Sequence, residues 1–220
     1  MKSRRFTFGA VLLEIVIVII GISIAFGLSN WGERRKEVHM GDEFVKTMVD
    51  DLKSDSAAFV YQIANIEENI STVESLMALC RRKGFQEDSV QWYVGAFMNR
   101  NNWLINSNTY EILKSGGKLD IITDFDLRSD ISFFYRIRTY QTDVILELTQ
   151  GFVQSQMNPY LTKHSDFFIN DVPDHRFIQD VVFQNLLGRW RDLKQEKLDI
   201  YQSTLDDINS LIPKLEAYLE

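Results

Sequence analysis

The spacing of apolar and polar positions separates one stretch that is oily on every face from several that are oily on one. From Ala10 to Leu28 the chain reads AVLLEIVIVIIGISIAFGL, with Glu14 as its single charge. Coiled as a helix, this run spans about 28 Å, close to the roughly 30 Å of hydrocarbon in a bilayer. A helix without a polar face has no side to offer to water, so lipid is its natural solvent. Farther on, Val45, Met48 and Leu52 recur at helical steps. From Phe59 the series Ile63, Ile66, Ile70, Val73, Met77 and Cys80 alternates steps of four and three, which predicts a heptad-like seam. Arg81, Arg82 and Lys83 before Gly84 predict that helix's C-terminus. Anchor and seam helix together predict a rod about 100 Å long, with Gly32 and Gly41 as its weakest points.

Shorter segments follow. Residues 88–100 carry Val90, Tyr93, Val94 and Phe97 on one face; Asn106-Ser107-Asn108 offers capping chemistry for a helix over Thr109–Lys114, stopped by Ser115-Gly116-Gly117. Asp124 is the expected cap of a long helix reaching about Met157 and ending near Pro159. Residues 164–173, with Phe167, Phe168 and Ile169, read as a loop, and Asp174 as the cap of the last helix. The seam expected there is Leu198, Tyr201, Leu205, Ile208, Ile212, Leu215 and Leu219, with Pro213 late enough only to kink the final turns. No stretch alternates at period two long enough to demand a sheet. The fold class expected is all-α: an N-terminal transmembrane helix continuing into a stalk and an antiparallel helical bundle. Residues 1–8 would be a cytoplasmic tail, 9–30 the transmembrane helix and 31–220 the exported bundle with its stalk.

Charge sharpens this division. The six basic groups of residues 1–36 outnumber Glu14 and Glu33 to leave +4, so the remaining residues carry −11 toward the chain's total of −7. An acidic domain is repelled by phosphate backbones, which argues against nucleic acid as a partner. Arg4 and Arg5 on one side, and Trp31, Arg34 and Arg35 on the other, bracket the apolar run as membrane-interface residues. The run exceeds a signal peptide's apolar core, so a retained anchor is expected. Weighing the basic flanks places the N-terminus in the cytoplasm and the C-terminal domain in the periplasm, at the bacterial inner membrane. The single Cys80 allows no intrachain disulfide.

Three further stretches add a resemblance. They are Glu14–Ile22 running into Leu28-Ser29-Asn30-Trp31-Gly32-Glu33-Arg34-Arg35-Lys36, then Asp51-Leu52-Lys53-Ser54-Asp55, then Thr109–Leu119. Together they resemble an uncharacterised family of bacterial single-pass membrane proteins, domain of unknown function 6090, common in Bacteroidota. In that family a glycine often precedes the anchor glutamate and an asparagine follows the tryptophan; here Leu13 and Gly32 stand there. The resemblance implies an anchor and a helical domain, and carries over no catalytic residue. Gly9 followed five residues later by Glu14 is also similar to a type IV prepilin processing site, but a pilin head needs strands, and none is expected.

Among candidate sites, Glu14, Val18, Gly21, Ala25 and Ser29 share one stripe of the anchor, and Gly21, Ala25 and Ser29 form a small-xxx-small series for membrane-helix packing. Two readings of Glu14 stand side by side: it hydrogen-bonds across a contact with a second anchor, or it reaches the headgroups from near the helix end. Asp171, Asp174, His175 and Asp180 are the nearest thing to a metal set, and capping explains Asp174 better. No nucleotide loop or nucleophile elbow occurs, and Cys80 on an apolar seam reads as core. Trp92, Trp103 and Phe134 would flank an interhelical ligand pocket, or simply fill a core. The function expected is a non-enzymatic interaction or assembly scaffold without cofactor, with the lipid bilayer and a homo-oligomer or membrane protein as partners. A ligand-sensing bundle coupled to a membrane partner is the alternative.

Overall fold

The computed structural model of the chain describes residues 8–82, 102–164 and 175–220. Among these residues every element is helical and no strand occurs, as the patterning predicts. The first helix, α1 (Phe8–Cys80), is one rod of 73 residues, about 110 Å long. It passes through Gly32 and Gly41 without a break. Around Gly32 there is open space. At Gly41, a Cβ would lie 2.6 Å from Cγ2 of Ile121 and 3.2 Å from its carbonyl oxygen. That glycine is a notch on which the 3₁₀ turn Leu119–Ile121 closes, and the close approach outweighs the propensity cost of about 1 kcal/mol.

After α1 come α2 (Asn108–Ser115), the 3₁₀ turn, α3 (Phe125–Phe152), α4 (Asn158–Leu161), a second 3₁₀ turn (His175–Gln179) and α5 (Val181–Tyr218). The end of α2 is closed by Gly117 at φ 63°, with Lys118 N–H donating to Leu113 O and Gly117 N–H to Lys114 O. This pair of bonds around a left-handed glycine satisfies carbonyls that the helix end would otherwise orphan. Its start differs from expectation, since Ser107 stands at the cap without a side-chain bond to the helix. Asp124 does cap α3, accepting from Leu127 N–H at 3.0 Å.

Two other expected boundaries move. Pro159 does not end its helix: a π turn, Val153–Met157, precedes it, and the proline enters α4 within its first two positions. The wider turn relieves the clash between a proline ring and the carbonyl four residues back. The last long helix begins at Val181, not after Asp174; its cap is Asp180, which accepts from Val182 N–H at 3.0 Å. Asp174 lies outside the described residues, as do segment 88–100 and Phe167, Phe168 and Ile169.

Helix α5 is the shared partner of the bundle, packed along both α1 and α3. It runs antiparallel to α1, because Tyr201 meets Phe59 edge-on at 4.9 Å while Glu216 pairs with Lys53 at 2.7 Å. It runs antiparallel to α3 as well: Trp190 lies over Phe152, Asp207 holds Arg138, and Lys214 holds Asp130. The apolar pattern gives half of each seam: Phe59, Ile66, Val73 and Cys80 on α1 and Leu198, Tyr201, Ile208 and Leu215 on α5 are buried as expected, but the positions between them shift by one. Beside Val49, the buried positions of α1 from Val45 onward are Val45, Met48, Leu52, Asp55, Phe59, Gln62, Ile66, Asn69, Val73, Leu76 and Cys80, which alternate steps of three and four. Ile63, Ile70 and Met77 are only partly buried. On α5, Leu205 and Ile212 are likewise partly buried and Leu219 is exposed, while Lys194, Lys197 and Thr204 are inside. Each helix therefore turns toward a stripe containing polar residues, and each of those needs a partner that a single helix cannot supply.

Candidate functional site

The membrane-length part of α1 stands clear of the bundle. Among the described residues it is the one helix long and apolar enough to cross a membrane, with mean hydropathy 2.1 over its most apolar window and none of that window buried. From Leu13 to Trp31 the large apolar side chains are 44% to 67% exposed. Steps of three and four bring Glu14, Val18, Gly21, Ala25 and Ser29 to one face, all exposed. A Cβ at Gly21 would touch nothing within 4 Å. At the end of the run the Arg35 guanidinium lies 5.4 Å from the centre of the Trp31 ring, and Arg34 is exposed. Arg4 and Arg5 lie outside the described residues.

Beyond the apolar run, α1 is tied to the segment that leads into α2. Asp55, 1% exposed, accepts from the Trp103 indole N–H at 3.0 Å and from Asn106 N–H at 2.9 Å. One turn below, Asp51 accepts from the Asn106 side chain at 2.8 Å and from the Thr109 hydroxyl at 2.7 Å. Trp103 is fixed from the other side too. The Tyr201 hydroxyl on α5 donates to its carbonyl at 2.9 Å and accepts from its N–H at 3.2 Å. Residues 102–109 thus form a strap between α1 and α5, and two of the sequence stretches singled out above, Asp51–Asp55 and the one beginning at Thr109, meet there. Burial pushes the Asp55 carboxyl above its ordinary range, and the two N–H donors oppose that shift.

Two lysines are buried in α5 at the far side of the strap. Lys197, 1% exposed, donates to the Asn102 side-chain oxygen at 2.6 Å, and its ammonium lies 5.0 Å from the Tyr201 ring centre. Lys194 sits 4.6 Å from the ring centre of Trp190. Burial and the neighbouring Lys197 charge pull Lys194 down to about 7, and burial pulls Lys197 to about 8. Around them Asn102, Thr149, Gln150 and Val153 help enclose a cavity of about 10 Å³, room for roughly one water. Val153 opens the π turn, so the helix is widest beside the lysine pair.

The remaining sequence candidates disperse. Asp180 is a helix cap and accepts from the Tyr160 hydroxyl at 2.8 Å; Asp171 and Asp174 lie outside the described residues, and among those described no cluster of metal-ligating side chains forms. Trp103 is occupied by the strap, Phe134 is buried edge-on to Tyr135 at 5.0 Å, and Trp92 lies outside the described residues. Phe134 also borders an open groove of about 120 Å³ with Phe133, Leu211 and Lys214. Cys80 is buried, and its thiol is pushed up to about 11 by that burial. Asp55, Gln62, Lys194 and Lys197 were not readable as interior residues from an apolar pattern; the seven-residue spacing of Asp55, Gln62 and Asn69 was the available signal.

Neither the curated proteins nor the solved structures contain a match to this chain. A family model does match, described as a family of unknown function (DUF6090), and it covers residues 14–188. That span takes in the exposed stripe from Glu14, the Asp51–Asp55 pair, the strap and the start of α5, and this chain belongs to that family.

Proposed function

We propose that the chain is a single-pass inner-membrane scaffold: α1 crosses the bilayer, its N-terminus lies in the cytoplasm, and the helical bundle stands in the periplasm. The observation that carries this reading is the wholly unburied apolar part of α1, which continues as the same helix into the bundle. Continuity favours a retained anchor over a cleaved signal, and the lack of burial favours lipid over a protein core as its surroundings. The interior polar groups support a non-catalytic role. Asp51 and Asp55 are engaged in holding the strap, and the cavity at Lys194 is far smaller than the several hundred Å³ of ordinary ligand sites.

The bundle then presents its outer faces to a partner, and the stripe Glu14, Val18, Gly21, Ala25 and Ser29 packs against a second anchor. In a Cys80→Ser background, single cysteines placed from position 14 to 29 should crosslink between copies with helical periodicity, strongest on that stripe. Equal crosslinking on every face would remove the packed-stripe mechanism. A C-terminal alkaline phosphatase fusion reads the orientation: activity supports a periplasmic bundle, and inactivity of an expressed fusion opposes it.

A further inference from the structure

We propose that the open cleft between the 3₁₀ turn Leu119–Ile121 and the first turns of α3 binds a small zwitterion with an apolar side group, an amino acid in the simplest case. The cleft has a volume of about 460 Å³, within the several hundred Å³ of ordinary small-molecule sites. Leu119 and Asp120 line it from the turn, and Phe125, Arg128 and Ser132 from α3.

Two charged groups carry the inference. The Arg128 side chain is half-buried and held in place twice: one nitrogen donates to Ile122 O at 3.1 Å, and the guanidinium carbon lies 5.6 Å from the centre of the Phe125 ring. Neither contact neutralises it, and among the described residues no carboxylate pairs with it. Asp120 is exposed, and its carboxylate likewise has no cation in ion-pair contact there. Opposite charges thus border one cleft without meeting each other. Lys114, at the cleft's edge, is already held by Glu111 at 3.1 Å. The fixed guanidinium offers its remaining N–H groups as a fork for a carboxylate, and Asp120 accepts the ligand's ammonium. Holding the fork in advance lowers the ordering cost of binding.

The apolar part of the ligand is read from Phe125, which is 69% exposed, and from Leu119, which is partly buried. A ligand with only an anion would leave Asp120 repelling it, and one with only a cation would meet Arg128. Both charges on one molecule, with an apolar group for the Phe125 ring, satisfy the whole lining. The turn that carries Asp120 closes on Gly41 of α1, so an occupant bears on the rod itself. This site goes beyond the scaffold reading and does not depend on it.

The full chain in detergent is melted with each of the common L-amino acids in turn at about 10 mM, and any that stabilises is titrated by calorimetry. At least one with an apolar side chain should raise Tm by about 2 °C or more. The matching acid without the ammonium, and the matching amine without the carboxylate, should each bind at least about ten-fold more weakly. Arg128→Gln and Asp120→Asn should weaken binding by a similar factor, while Arg136→Gln, exposed on the same helix outside the cleft, should leave it unchanged. Asp120→Asn alters an exposed group, so the fold survives even where Arg128→Gln disturbs it. No shift with any amino acid overturns the inference. So does binding that survives Asp120→Asn, or that the acid or the amine matches alone.

Discussion

The strap makes a quantitative claim about one hydrogen bond. Trp103→Phe keeps most of the ring and removes the N–H that Asp55 accepts at 3.0 Å. A bond to a charged acceptor contributes about 1.5–3 kcal/mol, and its loss leaves one oxygen of a nearly inaccessible carboxylate without its donor. For a domain of this size each kcal/mol shifts Tm by about 2–4 °C, so the variant should melt roughly 3–12 °C lower. Packing changes are separated from the bond by a double-mutant cycle with Asp55→Asn, followed by circular dichroism at 222 nm on the full chain in detergent. Asp55→Asn keeps an acceptor but removes the charge, so the two substitutions should couple by about 1 kcal/mol or more. Trp103→Phe combined with Lys214→Met, which removes the exposed ion pair with Asp130, should be additive within about 0.5 kcal/mol. Additivity in the Asp55 cycle as well would refute the claim that this contact holds the strap to α1.

Other consequences follow from the same geometry. Gly41→Ala forces a Cβ against Ile121 and should destabilise by about 1–2 kcal/mol despite better helix propensity, whereas Gly32→Ala, in open space, should be neutral or stabilising by up to about 1 kcal/mol; thermal melts of the two variants should shift in different directions. Gly117→Ala places a side chain at φ 63° and should cost about 1–2 kcal/mol in the same assay. Lys194 and Lys197 titrate lower when folded than when unfolded, so the unfolded chain binds more protons between about pH 7 and 10, and stability should rise with pH across that window. Lys194→Met/Lys197→Met should flatten the rise; an unchanged slope would mean the lysines do not cause it.

The sequence carried the fold class because periodicity at 3.6 is a strong signal in helices as long as α1, α3 and α5. Gly117 and Asp124 were legible too, since a left-handed turn and a helix cap each demand a narrow set of residues. Helix starts with two acidic choices were not. Asp174 and Asp180 have equal capping chemistry, and only the 3₁₀ turn between them decides. Every second position of each seam lies one step from the apolar pattern for a related reason. A search for apolar residues picks Ile63 and Ile70 over Gln62 and Asn69, yet the rod turns toward α5 along the polar alternative. Asp55 and Lys197 escaped notice because their burial depends on Trp103, Asn106 and Asn102, residues many turns away along the chain. By helix propensity alone Gly41 is a weak point, yet its lack of a side chain serves a neighbour 80 residues on.

The most direct test concerns the apolar part of α1. Membranes from cells expressing the full chain are washed in alkaline sodium carbonate and sedimented, and the chain is followed by immunoblot. Retention in the pellet, with release only by detergent, is the predicted result. Recovery of intact full-length chain in the carbonate supernatant would contradict the account.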